Sequence, residues 1–240
     1  MGSFAVDLYK LYKKRLQSPE DYLAFQQFQA ERVLNDFVEI LDLSKDEFLV
    51  DFGCGKGGYT EVFGDHFPRV WGIDYHVEAA KESNKVEYYN RDLINLELEE
   101  KADVIFCASV IEHVEDPEAL VQSIFRNLKP GGKLYISFPP FHSLGGGHQL
   151  KPIHYLPESM AIAVGKKMSM IPDTVTSYEN LFGSWGLYKR SIGQVDRILK
   201  DAGFEMLKVK PRYMKFNTTK IPIIKDFLTW HVEFYCQKPK

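Results

Sequence analysis

The sequence predicts an α/β protein built on a doubly wound, mostly parallel sheet. Strand and helix patterns alternate from residue 48 to about 138, a glycine-dense turn joins the first strand to its helix, and the chain closes on two strands with no helical pattern between them. Alternation of this kind implies right-handed βαβ crossovers and a parallel sheet. The two closing strands imply an antiparallel edge. Strands are predicted at 48–52, 69–73, 85–89, 103–108, 133–138, 204–209 and 227–236, which makes a seven-stranded sheet with an antiparallel last strand.

Residues 1–44 read as N-terminal helices packing on a core of residues 45–240. Phe25, Phe28, Val33, Leu34, Phe37, Val38 and Leu41 recur at near-helical spacing before Leu43-Ser44 breaks the run. Leu49, Val50 and Phe52 give the first strand its buried character, and helices are expected from Gly57 and from residue 76. The helix at 117–128 is the best marked, with Asp116 as N-cap, Pro117 at its first position and Lys129-Pro130-Gly131-Gly132 as its stop. Residues 139–190 then break the rhythm with paired prolines, three consecutive glycines, three histidines and several aromatics. They read as an inserted cap after strand 5, lying over the site. A helix at 191–201, stopped by Gly203, restores the pattern.

A chain of 240 residues fits one α/β domain with room for that insertion. The net charge of −3 has mixed signs and no dense Lys/Arg stripe, so nucleic acid is not an expected partner. Lys208, Lys210, Arg212, Lys215, Lys220 and Lys225 make the C-terminal portion locally basic and read as a solvated face. Cys54, Cys107 and Cys236 form neither a CxxC pair nor a metal-like spacing, which points to a reduced, cytoplasmic setting. The start lacks the apolar stretch of a signal peptide, and no segment has the apolar length of a membrane span. Gly2 suggests myristoylation, but Val6 stands where Ser or Thr is required. Oligomeric state is not readable.

The stretch Phe48 to Thr60, FLVDFGCGKGGYT, carries the most chemistry. Gly53, Gly55, Gly57 and Gly58 let the backbone turn sharply and admit a ligand that a Cβ would block. Gly53-x-Gly55-x-x-Gly58 also satisfies the dinucleotide fingerprint. Asp51 separates the readings, because a carboxylate at the strand's end repels a pyrophosphate and attracts an ammonium. Asp51-Phe52-Gly53-Cys54-Gly55-Lys56-Gly57 resembles motif I of the class I S-adenosylmethionine-dependent methyltransferases. The resemblance implies a Rossmann-like fold, S-adenosyl-L-methionine as cofactor, S-adenosyl-L-homocysteine as product, and cofactor contacts at Asp51, Gly53, Cys54, Gly55 and Gly57.

The resemblance extends over residues 46–138 and 191–236. Asp74 ends the second strand, where an acid can accept hydrogen bonds from both ribose hydroxyls, and family precedent gives Asp74 the same role, with Tyr75 after it a further candidate cofactor contact. Asn90-Arg91-Asp92-Leu93 follows the third strand, and the resemblance puts Asp92 at the adenine amino group with Leu93 beside it. Ala102 to Val114 is similar to the family's fourth strand with its Glu-His pair, implying that the loop Cys107 to Val110, with Ala108 and Ser109 as contacts, lies along the methionine part. Leu128-Lys129-Pro130-Gly131-Gly132 is a further shared feature. Alternatively, Asp74 and Asp92 cap local turns, and Cys54 and Cys107 are small buried residues.

Glu112-His113 reads as a packing and hydrogen-bonding feature or as an acid/base pair. Some similar quinone-pathway methyltransferases carry another Glu three residues earlier and hold a divalent metal there. Here that position is Ser109, so no metal is expected. A base is needed only for an acceptor that must lose a proton, and His148, His142 and His154 of the cap are the candidates for base or acceptor positioning. His148 comes first, because the glycines before it would let the loop fold down over the site. The alternative is that each builds the cap's own core. Phe141, Tyr155, Trp185 and Tyr188 are candidates to line an acceptor pocket. Pro139-Pro140-Phe141 followed by Gly-Gly-His loosely resembles methyltransferases of glycan and surface-polysaccharide biosynthesis, which suggests a sugar hydroxyl. The expected function is methyl transfer to a small-molecule acceptor, most directly a hydroxyl oxygen. The alternatives are a binding module without turnover and an NAD-dependent oxidoreductase, which Asp51 and the closing strand pair oppose.

Overall fold

The computed structural model describes residues 18–44, 47–77, 86–183, 185–212, 214 and 216–240. A seven-stranded sheet of order β3-β2-β1-β4-β5-β7-β6 is formed by β1 (Phe48–Phe52), β2 (Arg69–Asp74), β3 (Val86–Asn90), β4 (Ala102–Ala108), β5 (Leu128–Phe138), β6 (Glu205–Pro211) and β7 (Val232–Gln237). The first five strands are parallel, and β7 is antiparallel to both β5 and β6. The order reverses at β1, so the crevice beyond the carboxyl ends of β1, β2 and β4 is where such sheets take ligands.

Strand alternation divides the core. Val50, Phe52, Ile105 and Ile136 face α3 (Pro117–Asn127) and α5 (Ile192–Asp201), while Leu49, Val104, Phe106 and Tyr135 face α1 (Pro19–Leu41) and α2 (Gly58–Gly64). Phe37 of α1 is buried among Phe63, Phe67, Phe106 and Tyr135. Capping follows the sequence: Ser18, Asp116 and Ser191 accept from the amides of Asp21, Ala119 and Gln194, and prolines stand at the first position of α1 and α3. Residues 139–190 hold α4 (Glu158–Lys167) and a small core of their own around Phe141, Leu150, Ile162 and Leu181. None of the helices among the described residues is long and apolar enough to cross a membrane.

Of the helical stretch expected over 1–44, the described part holds a helix from Pro19 to Leu41, and residues 1–17 lie outside the described residues, as does 78–85 of the helix expected from 76. Three expectations need correcting. The Lys129–Gly132 stop belongs to an extended β5, where Gly131 at φ 77 donates to the Lys238 carbonyl. The last strand starts at Val232, not Phe227, because Lys225–Leu228 forms a short helix, α6, tied to α5 by the Ile192 amide donating to Asp226. The basic C-terminal stretch is not uniformly solvated. Arg212 is buried, and Lys210 pairs with Glu233 at 2.9 Å.

Candidate active site

The glycine loop leaves the carboxyl end of β1 and is fixed by amides of Gly53 and Cys54 donating to the Ile73 carbonyl of β2. Gly53 is at φ +83, and a Cβ there would lie 2.2 Å from Val110 Cγ2, so only glycine lets the loop close on the segment after β4. Gly55, at φ +52, has nothing within 4 Å of where its Cβ would stand, so its face is open to a ligand. Gly57, at φ +78, caps α2. Asp51 alternates with Leu49 onto the α1/α2 face, is buried, and accepts from the Thr60 hydroxyl at 2.7 Å. Burial, with the charge of Asp74 adding, pushes its carboxyl up to about 7 against that hydrogen bond.

Asp74 ends β2 and ties the site together: one oxygen accepts from the Gly55 amide and the other from the His76 amide, both at 3.0 Å. A carboxylate has about four acceptor positions, so hydroxyls of a ligand could still be accepted. Tyr75 beside it is exposed. Asp92 is exposed and accepts from the Ile94 amide and the Asn95 side chain, the capping arrangement that its sequence position allows; Leu93 next to it is half-buried. Cys54 is buried, and Ala108 is half-buried at the end of β4. Ser109 is exposed in the left-handed region at φ 58, its amide donating to the Ser137 carbonyl of β5.

Just past Ser109 and Val110, the turn Ile111–His113 holds two groups whose chemistry the surroundings alter. Glu112 is buried with no hydrogen bond to either carboxyl oxygen among the described residues, and burial pushes it up to about 8. His113 Nδ1 lies 2.8 Å from the Gly186 carbonyl, which can only accept, so Nδ1 carries the proton and Nε2 presents a lone pair. Burial lowers this imidazole to about 4. Trp185 and Phe182 stand edge-on to its ring at 4.6 and 5.2 Å. Arg190, which the sequence did not single out, clamps the turn by donating to the carbonyls of Ile111, Val114 and Glu115.

Residues 139–190, expected as a cap, bring His148 to this turn. Its Nε2 is 3.9 Å from Glu112 Oε1 and its ring 4.9 Å from that of His113. His142 stacks on Phe227 at 5.4 Å, and His154 is buried in the cap with Nε2 at 3.2 Å from the Ser143 carbonyl, so neither joins this cluster. Trp185 alone of the expected pocket aromatics touches His113. Phe141 lies in the cap core, and Tyr155 donates to the His142 carbonyl. The three glycines are close-packed instead of hinge-like: added Cβ atoms would meet the Trp230 carbonyl at 2.7 Å, the Pro140 carbonyl at 2.2 Å and the His154 ring at 2.3 Å. His148, at φ 47, takes the left-handed turn itself. One ligand atom each from Glu112, His113 and His148 lies within 4.8 Å of the others, so the set could also hold a metal ion. The expectation of no metal rested on Ser109, whereas here the third donor would come from the cap.

A buried network underlies the site. Arg212 donates to Glu233, Gln29 and Ser137 and to the hydroxyls of Tyr59 and Tyr135, joining α1, α2, β5 and β7. Burial alone would raise the Glu233 carboxyl, but Arg212 and Lys210 hold it below its ordinary value.

The sheet order, the glycine loop and the acids at the ends of β1 and β2 define a class I, Rossmann-like methyltransferase fold, and comparison with known proteins agrees. A family model described as a methyltransferase domain matches residues 22–209, and the chain belongs to that family, whose cofactor is S-adenosylmethionine. Phosphoethanolamine N-methyltransferase 1 of Triticum aestivum is 36% identical over 115 residues, covering 42% of this chain and 22% of that protein. Ubiquinone biosynthesis O-methyltransferase of Pseudomonas fluorescens (strain SBW25) is 30% identical over 99 residues, covering 37% of this chain and 43% of that protein. In both, the match spans less than half of the relative's length. The structure of a S-adenosylmethionine-dependent methyltransferase from Clostridium acetobutylicum superposes with a TM-score of 0.59 at 14% identity, over 88% of this chain and 91% of that one.

Proposed function

We propose that this chain transfers a methyl group to a hydroxyl oxygen of a small molecule, with His148 as base. The observation that carries the reading is the meeting of Glu112, His113 and His148 immediately beyond Val110, the residue against which the glycine loop closes. S-adenosylmethionine supplies an electrophilic methyl group whose leaving thioether is neutral, so the protein has only to orient the acceptor, exclude water and remove a proton. Asp51 meets the ammonium, Asp74 accepts from the ribose hydroxyls, and Asp92 accepts from the adenine amino group. Gly53, Cys54, Gly55, Gly57, Tyr75, Leu93, Ala108 and Ser109 complete the lining. His148 takes the proton of the acceptor hydroxyl, with the Glu112 carboxyl 3.9 Å from its Nε2. Trp185 and Phe182 stand against the His113 ring at this end.

A screen of hydroxyl acceptors with labelled methyl donor, sugars and glycan precursors first, tests the reading. Transfer to oxygen that survives EDTA is the expected result. Transfer to amines alone would contradict it. Activity lost to EDTA and restored by Mn²⁺ would make His148 a metal ligand instead of a base.

Asp51 gives a second expectation. A carboxyl at about 7 is largely protonated at pH 6 and must ionise to meet an ammonium, so binding releases a proton below pH 7 and strengthens as pH rises. Calorimetric affinity for S-adenosylhomocysteine should be about tenfold higher at pH 8 than at pH 6. Asp51→Asn should remove this dependence, and a dependence unchanged in that variant would sink the assignment.

A further inference from the structure

We propose that the β6–β7 connection is a docking site for the surface of an anionic phospholipid bilayer. Between Arg212 and His231 the chain exposes Phe216, Ile223, Ile224, Phe227, Leu228 and Trp230, with Phe216 83% and Ile223 91% accessible. Single exposed apolar side chains are ordinary, whereas this many along one connection marks an interaction surface. The display is anchored: Asp226 accepts from the Ile192 amide at 2.6 Å, and the hydroxyls of Thr218 and Thr229 bond at 2.7 Å beneath it. Ile223, at the most exposed position, is held at φ 70, a conformation that costs a β-branched residue and that no burial offsets in the free chain.

Charge selects the occupant. Asp226 is the sole acid in the sequence between 212 and 231, against Lys215, Lys220 and Lys225, so the connection carries a net positive charge. Apolar side chains interspersed with lysines and a half-exposed Trp suit an interface with acidic headgroups. A second copy packed through the same patch would bring like charges together across the two-fold axis. The patch continues onto the cap, where Phe227 stacks with His142 at 5.4 Å and Tyr155 at 6.5 Å, and Leu144 is exposed. Docking here would therefore set the cap against the lipid surface.

The test is co-sedimentation of the full chain with vesicles of phosphatidylcholine alone or of phosphatidylcholine mixed with the anionic lipid phosphatidylglycerol. Binding to the anionic vesicles only, weakened by salt, is expected. Phe216→Ser/Ile223→Ser/Phe227→Ser should abolish it. Lys220→Gln/Lys225→Gln should weaken it roughly 25-fold, about fivefold per lysine. Both variants should bind S-adenosylhomocysteine as the parent does, which separates failure of docking from failure of the methyltransferase reading. Equal binding to both vesicle types, no binding, or a dimer that the serine variant dissolves would overturn the proposal. So would binding that appears only once residues 1–17 are removed, which would assign the patch to that segment.

Discussion

Arg212→Met is expected to cost about 3 kcal/mol of stability, seen as a fall of roughly 6–12 °C in unfolding midpoint. The guanidinium is buried and bonded to Glu233, Tyr135, Tyr59, Ser137 and Gln29, so its loss strands several buried acceptors at once. The estimate sits at the low end of the range for broken buried pairs because Lys210 still faces Glu233. The pH dependence follows from the lowered Glu233 carboxyl. A depressed carboxyl contributes stability above its unfolded value and loses it as pH falls, so the deficit of the variant should shrink below about pH 4.5. Adding Glu233→Gln should recover part of the loss at pH 7. A solvated Arg212 would change stability by less than about 0.5 kcal/mol, and calorimetric unfolding separates the two.

His148→Asn is expected to lower turnover by about 10²–10⁴-fold while leaving S-adenosylhomocysteine affinity unchanged. Asn is the informative replacement because it tolerates the left-handed φ of 47 and keeps a polar side chain beside Glu112, yet cannot take a proton. Ala removes the group too, but its strain in that turn would mix a structural loss with a chemical one. Once the screen supplies an acceptor, single-turnover kinetics measures the step itself. Turnover kept in His148→Asn would exclude His148 as base and leave it a positioning role. His154→Asn and His142→Asn should leave the chemical step within about threefold of the parent, since neither ring lies with Glu112.

Period and punctuation made the sheet legible. Short apolar runs separated by helical stretches, and Asp116-Pro117 at a helix start, report local preferences that the fold keeps. What was hidden depends on which way a side chain points across the sheet. Arg212 looked like one more surface cation in a basic stretch, although Glu233 within the apolar Val232–Cys236 strand was a signal, since a carboxylate in a buried strand needs a cation nearby. The approach of His148 to Glu112 joins the cap to the turn after β4, and neither local pattern encodes that distance. Gly145-Gly146-Gly147 was misleading for a related reason: flexibility and close packing both demand glycine, and only the neighbours distinguish them.

The most direct measurement is calorimetric titration of the purified protein with S-adenosylhomocysteine and, separately, NAD, with Asp74→Ala as control. Micromolar binding of the thioether alone is predicted, weakened at least about 30-fold in the variant, which loses an acceptor for charge-assisted hydrogen bonds and the Gly55 anchor. No binding of the thioether, or a preference for NAD, would contradict the account at its root.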